Sequence, residues 1–175
     1  MVTKVLFVCL GNICRSKAAQ GIMTSLIERN RLGNKMVCDS AGIIDANVGA
    51  PPDSRMKHHA GARGVELFGV ARQFDPATDF DEFDYIVTMD EHNHAHIRAL
   101  ARFTPEYLSK LHEMVDFCRK IDAREVPDPY YGGEDGFEKV LDILEDACSG
   151  FLEHLSRKSV RYDHAAKLHL EPTKR

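Results

Sequence analysis

No apolar run in these 175 residues is long enough to span a bilayer, so a membrane partner is not expected. No Cys-x-x-Cys pair and no G-x-x-x-x-G-K-[ST] string occurs either. The second absence removes the nucleotide-binding loop. Five cysteines at irregular positions leave one over in any full pairing, which argues against a disulfide framework and suits a reducing cytosol. A net charge of −4 supplies no broad positive field, although the last twenty residues are locally basic. Nucleic acid is therefore not expected as a partner. The chain shows no internal repeat and no low-complexity tract, and its length suits one domain with its own core.

What is present reads as strands alternating with helices. Residues 5–8 are apolar at consecutive positions, as in a strand buried on both faces of a parallel sheet; the run is too brief for a signal-peptide core and lacks a cleavage site. Over residues 14–30, Ala19, Ile22, Met23, Leu26 and Ile27 recur at helical spacing, with Gly33 and Asn34 as the stop. A strand over 36–40, a long loop over 43–52, a helix over 52–63, a strand over 85–89 and a helix over 91–102 follow. Residues 111–117 read as a fourth strand. Asp135, with Glu138 three residues on, is the expected N-cap of a long helix reaching Leu155. Beyond Arg157 the periodicity fades, so a frayed tail or a short extra helix is expected. The alternation predicts an α/β fold with a parallel sheet and a ligand site beyond the carboxyl ends of its strands.

Cys9 closes the first strand and begins Cys9-Leu10-Gly11-Asn12-Ile13-Cys14-Arg15-Ser16. Five residues separate the thiol from the guanidinium at a strand-to-helix junction. A bend of that size can turn successive amides inward while the helix N-terminus adds partial positive charge, forming an anion cradle. Gly11 and Asn12 tolerate the positive φ that such a bend calls for. The amides and guanidinium that hold phosphate also favour thiolate, and Arg15 offers a planar fork matched to two phosphate oxygens. Ser16 can donate to that thiolate. The bland alternative is a buried cysteine at a strand end and a surface arginine; the strand before, the glycine within and the helix after narrow it. Thiolate attack on a phosphomonoester needs an acid for the leaving oxygen and then a base for water. Asp128, in Val126-Pro127-Asp128-Pro129-Tyr130-Tyr131-Gly132-Gly133, sits in a turn-rich segment that can hang a carboxyl over the cradle, with two tyrosines to flank an aryl group. From spacing alone the segment reads equally well as a surface turn.

With both segments in hand, the chain resembles the low-molecular-weight protein tyrosine phosphatases. The match rests on Val8 through Ser16, on Asp128-Pro129-Tyr130-Tyr131-Gly132, and on Asp39-Ser40-Ala41-Gly42, Asn47-Val48-Gly49, Ala71-Arg72-Gln73, Phe83-Asp84-Tyr85-Ile86 and Met89-Asp90 in order. The resemblance implies a four-stranded parallel sheet flanked by helices on both faces, a flavodoxin-like three-layer sandwich. It implies hydrolysis of phosphotyrosine through a cysteinyl-phosphate without metal or cofactor. Cys9 would be the nucleophile, Arg15 the phosphate clamp and Asp128 the proton donor, with Leu10, Gly11, Asn12, Ile13, Cys14 and Ser16 holding phosphate and Tyr130 and Tyr131 walling the substrate. Asn12 and Ser40 would shape the loop and Asp90 would orient it or an adjacent arginine. Cys14 would pair reversibly with Cys9 against irreversible oxidation. The implied setting is a cytoplasmic monomer or weak dimer acting on a phosphotyrosine protein, with a tyrosine kinase as a further partner, and with residues 1–156 as the domain and 157–175 as an extension without a role.

Two departures stand out. Ala46 occupies a place where eukaryotic members often carry an aromatic residue, and Gly69 one where some carry a histidine that supports the loop. Ile13 stands where phosphoarginine-specific relatives carry threonine. The rival readings are a thioredoxin-coupled arsenate reductase, which needs redox cysteines that residues 80–92 lack, and a phosphocysteine carrier of the sugar-transport IIB type, which needs neither Arg15 nor Asp128. His92, His94 and His96 mimic a metal site but read as a solvated helix start.

Overall fold

Val5 through Cys9 are all buried, and a strand can bury five successive side chains only between two covering layers. The computed structural model describes residues 2–130 and 132–168, with side chains to Lys158. Its elements are β1 (Thr3–Cys9), α1 (Arg15–Arg29), β2 (Met36–Gly42), α2 (Ser54–Ala62), α3 (Asp79–Glu82), β3 (Tyr85–Thr88), α4 (Glu91–Leu100), α5 (Pro105–Leu108), β4 (Leu111–Glu113) and α6 (Glu134–Leu168). The four strands are parallel in the order β2-β1-β3-β4. The pleat sends Val5, Phe7 and Cys9 of β1 into a core shared with α1, α2 and α6. It sends Leu6 and Val8 into a second core with Phe80, Ile97 and Leu108 from α3, α4 and α5. The expected three layers result, and the carboxyl end of central β1 opens toward the loop that begins at Leu10.

Four local expectations need correction. Strand β4 stops at Glu113, and Met114–Phe117 forms a 3-10 turn. The apolar run there serves packing instead of the ladder, since Met114 is fully buried and the Phe117 ring lies 4.4 Å from that of Phe151 on α6. Helix α1 is not stopped by Gly33. Arg31, at φ 56°, closes it, with Leu32 N donating to Ile27 O and Arg31 N to Glu28 O (both 2.9 Å), the double bond of a Schellman turn. Asp135 lies inside the first turn of α6 and not at its cap. Glu138 does not reach back to it, because Arg63 and His59 of the α2 end bind that carboxylate. The tail is neither frayed nor a separate helix as far as Leu168: α6 spans Glu134–Leu168 as one element.

Other boundaries follow their chemistry. Asp53 caps α2 by accepting from the amides of Arg55 and Met56. Asp90 caps α4 through Asn93 N at 2.7 Å. Among the described residues no helix is long and apolar enough to cross a membrane.

Candidate active site

Beneath the bend between β1 and α1 lies the side chain of Asn12, fully buried and at φ 56°. Its Nδ2 donates to Ser16 Oγ (2.8 Å) and Ser40 Oγ (2.9 Å), and its Oδ1 accepts from the backbone N–H of Arg72 (2.9 Å). That backbone donor fixes which end of the amide is oxygen. Because Ser16 Oγ already accepts from Asn12, its proton is free for Cys9 Sγ, 3.0 Å away. Ser40 in turn donates to Gln20 Oε1 (2.6 Å). Of Gly11 and Asn12, Asn12 adopts the positive φ that the bend was expected to require. A Cβ on Gly11 would meet the Asn47 amide, which donates to Gly11 O at 3.3 Å.

The carbonyls of the bend face outward. Those of Cys9, Leu10, Ile13 and Cys14 accept from Ile43, Ile44, Asp53 and Ala18 amides, and that of Gly11 from Asn47. None of the amides of residues 10–14 donates to an acceptor among the described residues. With the N-terminus of α1 behind them, these donors make a ready anion site.

Arg15 is 2 % exposed yet holds three hydrogen bonds. Nη1 donates to Asp90 Oδ2 (2.5 Å) and Val126 O (3.1 Å), and Nη2 to Asp128 Oδ2 (3.0 Å). Burial works against its charge, but Cys9, Asp128 and Asp90 outweigh it, so its pKa rises above the ordinary arginine value. Asp90 thereby joins the cap of α4 to the site. A cleft of about 220 Å³ opens over the bend, lined by Cys9, Arg15, Ile44, Ala46, Asp128 and Tyr130 among others. A roomier depression beside α4 holds none of these groups; the chemistry, not the volume, selects the site. Tyr131 lies outside the described residues.

The other thiols are poor competitors. Burial, then Asp53, Cys9 and Asp128, raise Cys14 far above the usual thiol value. Burial chiefly pushes Cys38 and Cys118 up to about 11 and raises Cys148 as well. Among the described residues no group of three His, Cys, Asp or Glu is arranged to hold a metal. His94 instead meets Thr88 Oγ1 at 3.1 Å.

Several contributors were given no role from the sequence, although Arg72 and Asn47 stand in motifs of the family resemblance. Arg72 grips Asp79 with both terminal nitrogens (3.0 and 3.2 Å) and Asp39 with Nε (3.0 Å), which steadies the backbone that meets Asn12. Gln20 and Asn47 act as described above. Lys17 is buried, with its Nζ 3.5 Å from where a Cβ on Gly69 would stand; burial, first among its causes, lowers its pKa. The Asp53 cap lies inside the helix expected over 52–63, one residue after its expected start, and the structure moves that start to Ser54.

A thiol and a guanidinium around an amide-lined bend, beyond the central strand of a parallel sheet, form an arrangement suited to an oxyanion. Comparison with known proteins gives the family. The low molecular weight phosphotyrosine protein phosphatase family model matches residues 4–161. The Synechocystis protein slr0328 is 50 % identical over 157 residues, covering 90 % of this chain and 99 % of its own. A crystal structure of a protein tyrosine phosphatase from Entamoeba histolytica superposes with a TM-score of 0.85 at 45 % identity, over 90 % of this chain and 99 % of that one. A Drosophila arginine phosphatase structure gives 0.80 at 33 % identity, over 87 % and 98 %. The chain belongs to the low-molecular-weight protein tyrosine phosphatase family and is an enzyme of that kind, with phosphoproteins as its class of substrate.

Proposed function

We propose that the protein hydrolyses phosphotyrosine and small aryl phosphates in two steps through Cys9. The thiolate attacks phosphorus, the P–O bond to the aryl group breaks, and the Asp128 carboxyl gives its proton to the leaving oxygen. Water then attacks the cysteinyl-phosphate, Asp128 takes a proton from it, and the S–P bond breaks to release phosphate and restore the thiolate. The amides of residues 10–14 and the Arg15 fork receive the phosphoryl oxygens, and Ser16 donates to the thiolate whenever sulfur leaves phosphorus. Tyr130, and Tyr131 in the resemblance, flank the aryl ring. Ser40 and Asp90 support the loop and Arg15.

The observation that carries this reading is that Cys9, Arg15 and Asp128 line one cleft, with the Ser16 hydroxyl 3.0 Å from Cys9 Sγ and Asp128 3.0 Å from Arg15. No metal or cofactor enters the steps. Ala46 lines the same cleft as Tyr130, so the aryl slot lacks the aromatic wall that eukaryotic members often carry there. We further infer a cytoplasmic protein acting as a monomer or weak dimer on phosphotyrosine proteins, with a tyrosine kinase as a further partner, and the extension from residue 157 without a catalytic part.

The test is Cys9→Ser assayed with p-nitrophenyl phosphate and with phosphotyrosine, phosphoserine and phosphoarginine peptides. The substitution is expected to abolish turnover while phosphate still binds, and wild type is expected to favour phosphotyrosine. Ordinary turnover by the variant would overturn the nucleophile; preference for phosphoarginine would overturn the substrate.

A further inference from the structure

Arginine links hold the acid-bearing turn over the phosphate loop, and two of them matter here; the proposed chemistry draws on one. The first is Arg15 Nη2 to Asp128 Oδ2. A phosphoryl group seated on Cys9 takes donors from that same guanidinium, so phosphate competes for this link when Asp128 must meet the leaving oxygen. The second link does not pass through phosphate. Arg55 Nη1 donates to Tyr130 O (3.2 Å), and its guanidinium lies over the Tyr130 ring (5.3 Å) and the Phe137 ring (5.0 Å). The same guanidinium grips both Asp53 oxygens, through Nε (3.2 Å) and Nη2 (2.8 Å), in the paired geometry only arginine offers. Asp53 N donates to Ile13 O of the phosphate loop (2.9 Å). On the far side, Tyr130 N donates to Asp128 Oδ1 (3.1 Å). A continuous path therefore runs from loop to acid: Ile13, Asp53, Arg55, Tyr130, Asp128.

We propose that Arg55 is a positioning residue for the reaction: it keeps Tyr130, and through it the Asp128 carboxyl, in register with the phosphate loop while Arg15 is engaged by phosphate. The inference rests on the acid role of Asp128 given above. Arg55 touches neither the nucleophile nor phosphate, so it acts on protonation of the leaving group and not on oxyanion affinity. Small misplacements of a catalytic group cost up to about 100-fold in rate, and one of several contacts to the turn is being removed.

The experiment compares phenyl phosphate, whose leaving group needs a proton, with p-nitrophenyl phosphate, whose leaving group needs it less, on wild type, Arg55→Ala, Arg55→Lys, Asp128→Ala and the Arg55→Ala, Asp128→Ala double variant. Arg55→Ala is expected to lower kcat for phenyl phosphate by about tenfold and for p-nitrophenyl phosphate by clearly less, with inhibition by inorganic phosphate unchanged. The double variant is expected to be no slower than Asp128→Ala alone, because a residue acting through Asp128 has nothing left to act on. Arg55→Lys keeps the charge but loses the fork, and is expected to fall between; it decides the matter if Arg55→Ala fails to fold. Equal slowing of both esters, or losses that multiply in the double variant, would overturn the proposal. If Asp128→Ala itself shows no leaving-group dependence, the acid assignment falls and this inference with it; if only Arg55→Ala lacks it, the acid role stands and the inference alone fails.

Discussion

The phosphate loop and the acid-bearing turn face each other across one cleft, yet they are built to opposite specifications. Asn12, Ser16 and Ser40 are wholly buried, and each side-chain polar atom among them is matched to a partner at ordinary hydrogen-bond length. An unmatched polar atom in such a place costs about 1–3 kcal/mol, so the network has one arrangement. The turn, in contrast, exposes 35 % of the Asp128 side chain and 42 % of Tyr130. It is held by bonds from two arginines and by its own Asx-type contact. A site that must hold the same anion through both steps gains from a rigid cradle, and a group that must give and then take a proton gains from a less committed perch.

The comparison breaks most visibly if Asp128 is dispensable. Asp128→Ala is expected to slow hydrolysis of esters with poor leaving groups by about 10²–10⁴-fold, and of p-nitrophenyl phosphate by less. Steady-state rates across a series of aryl phosphates check this, and a uniform loss would assign Asp128 to binding.

How much of each region was legible in the sequence follows the same division. Cys9, Ser16 and Arg15 lie within one short segment between a strand and a helix, so the strand pattern, the glycine and the helical period all pointed to one chemistry. Asn12 was readable as a residue for left-handed backbone, but its partners Ser40 and Arg72 lie 28 and 60 positions away, and no local pattern joins them. Asp128 and Arg15 are 113 positions apart. From spacing the segment read equally well as a surface turn, and the family resemblance decided for the acid role. The fold was more open: burial on both faces of residues 5–8 implied two covering layers. The element ends were not, because Glu138 was claimed by Arg63 rather than by its own helix end, and because Met114 and Phe117 turned under α6.

A smaller effect sharpens the contrast from the rigid side. Asn12→Ala removes three hydrogen bonds and places alanine at a left-handed φ, and is expected to destabilise the fold by about 2–4 kcal/mol while lowering activity. Asn12→Gly relieves the backbone but not the bonds, so denaturant unfolding should rank it between wild type and alanine. Equal stability of all three would mean the network is ornamental.

The smallest effect separates the site from general stability. At the other end of the sheet His112, chiefly through burial and then Lys158, and His154, likewise through burial and then Lys158, have pKa values below the ordinary 6.5. The folded protein keeps them neutral while the unfolded chain protonates them near 6.5. Below that value the unfolded state binds more protons, so stability falls as pH drops through about 6.5 and levels off beneath the folded values. Urea midpoints between pH 8 and 5 measure this, and His112→Gln should flatten the slope. An unchanged slope would place the acid sensitivity elsewhere.

The most direct test is to stop the reaction with acid within its first turnovers on an aryl phosphate and to locate the phosphoryl group by peptide mass analysis. The account predicts phosphate bound through sulfur on the peptide containing Cys9, accumulating further in Asp128→Ala as water activation slows. A phosphoryl group on any other residue, or rapid turnover with no covalent phosphoenzyme in either protein, would contradict it.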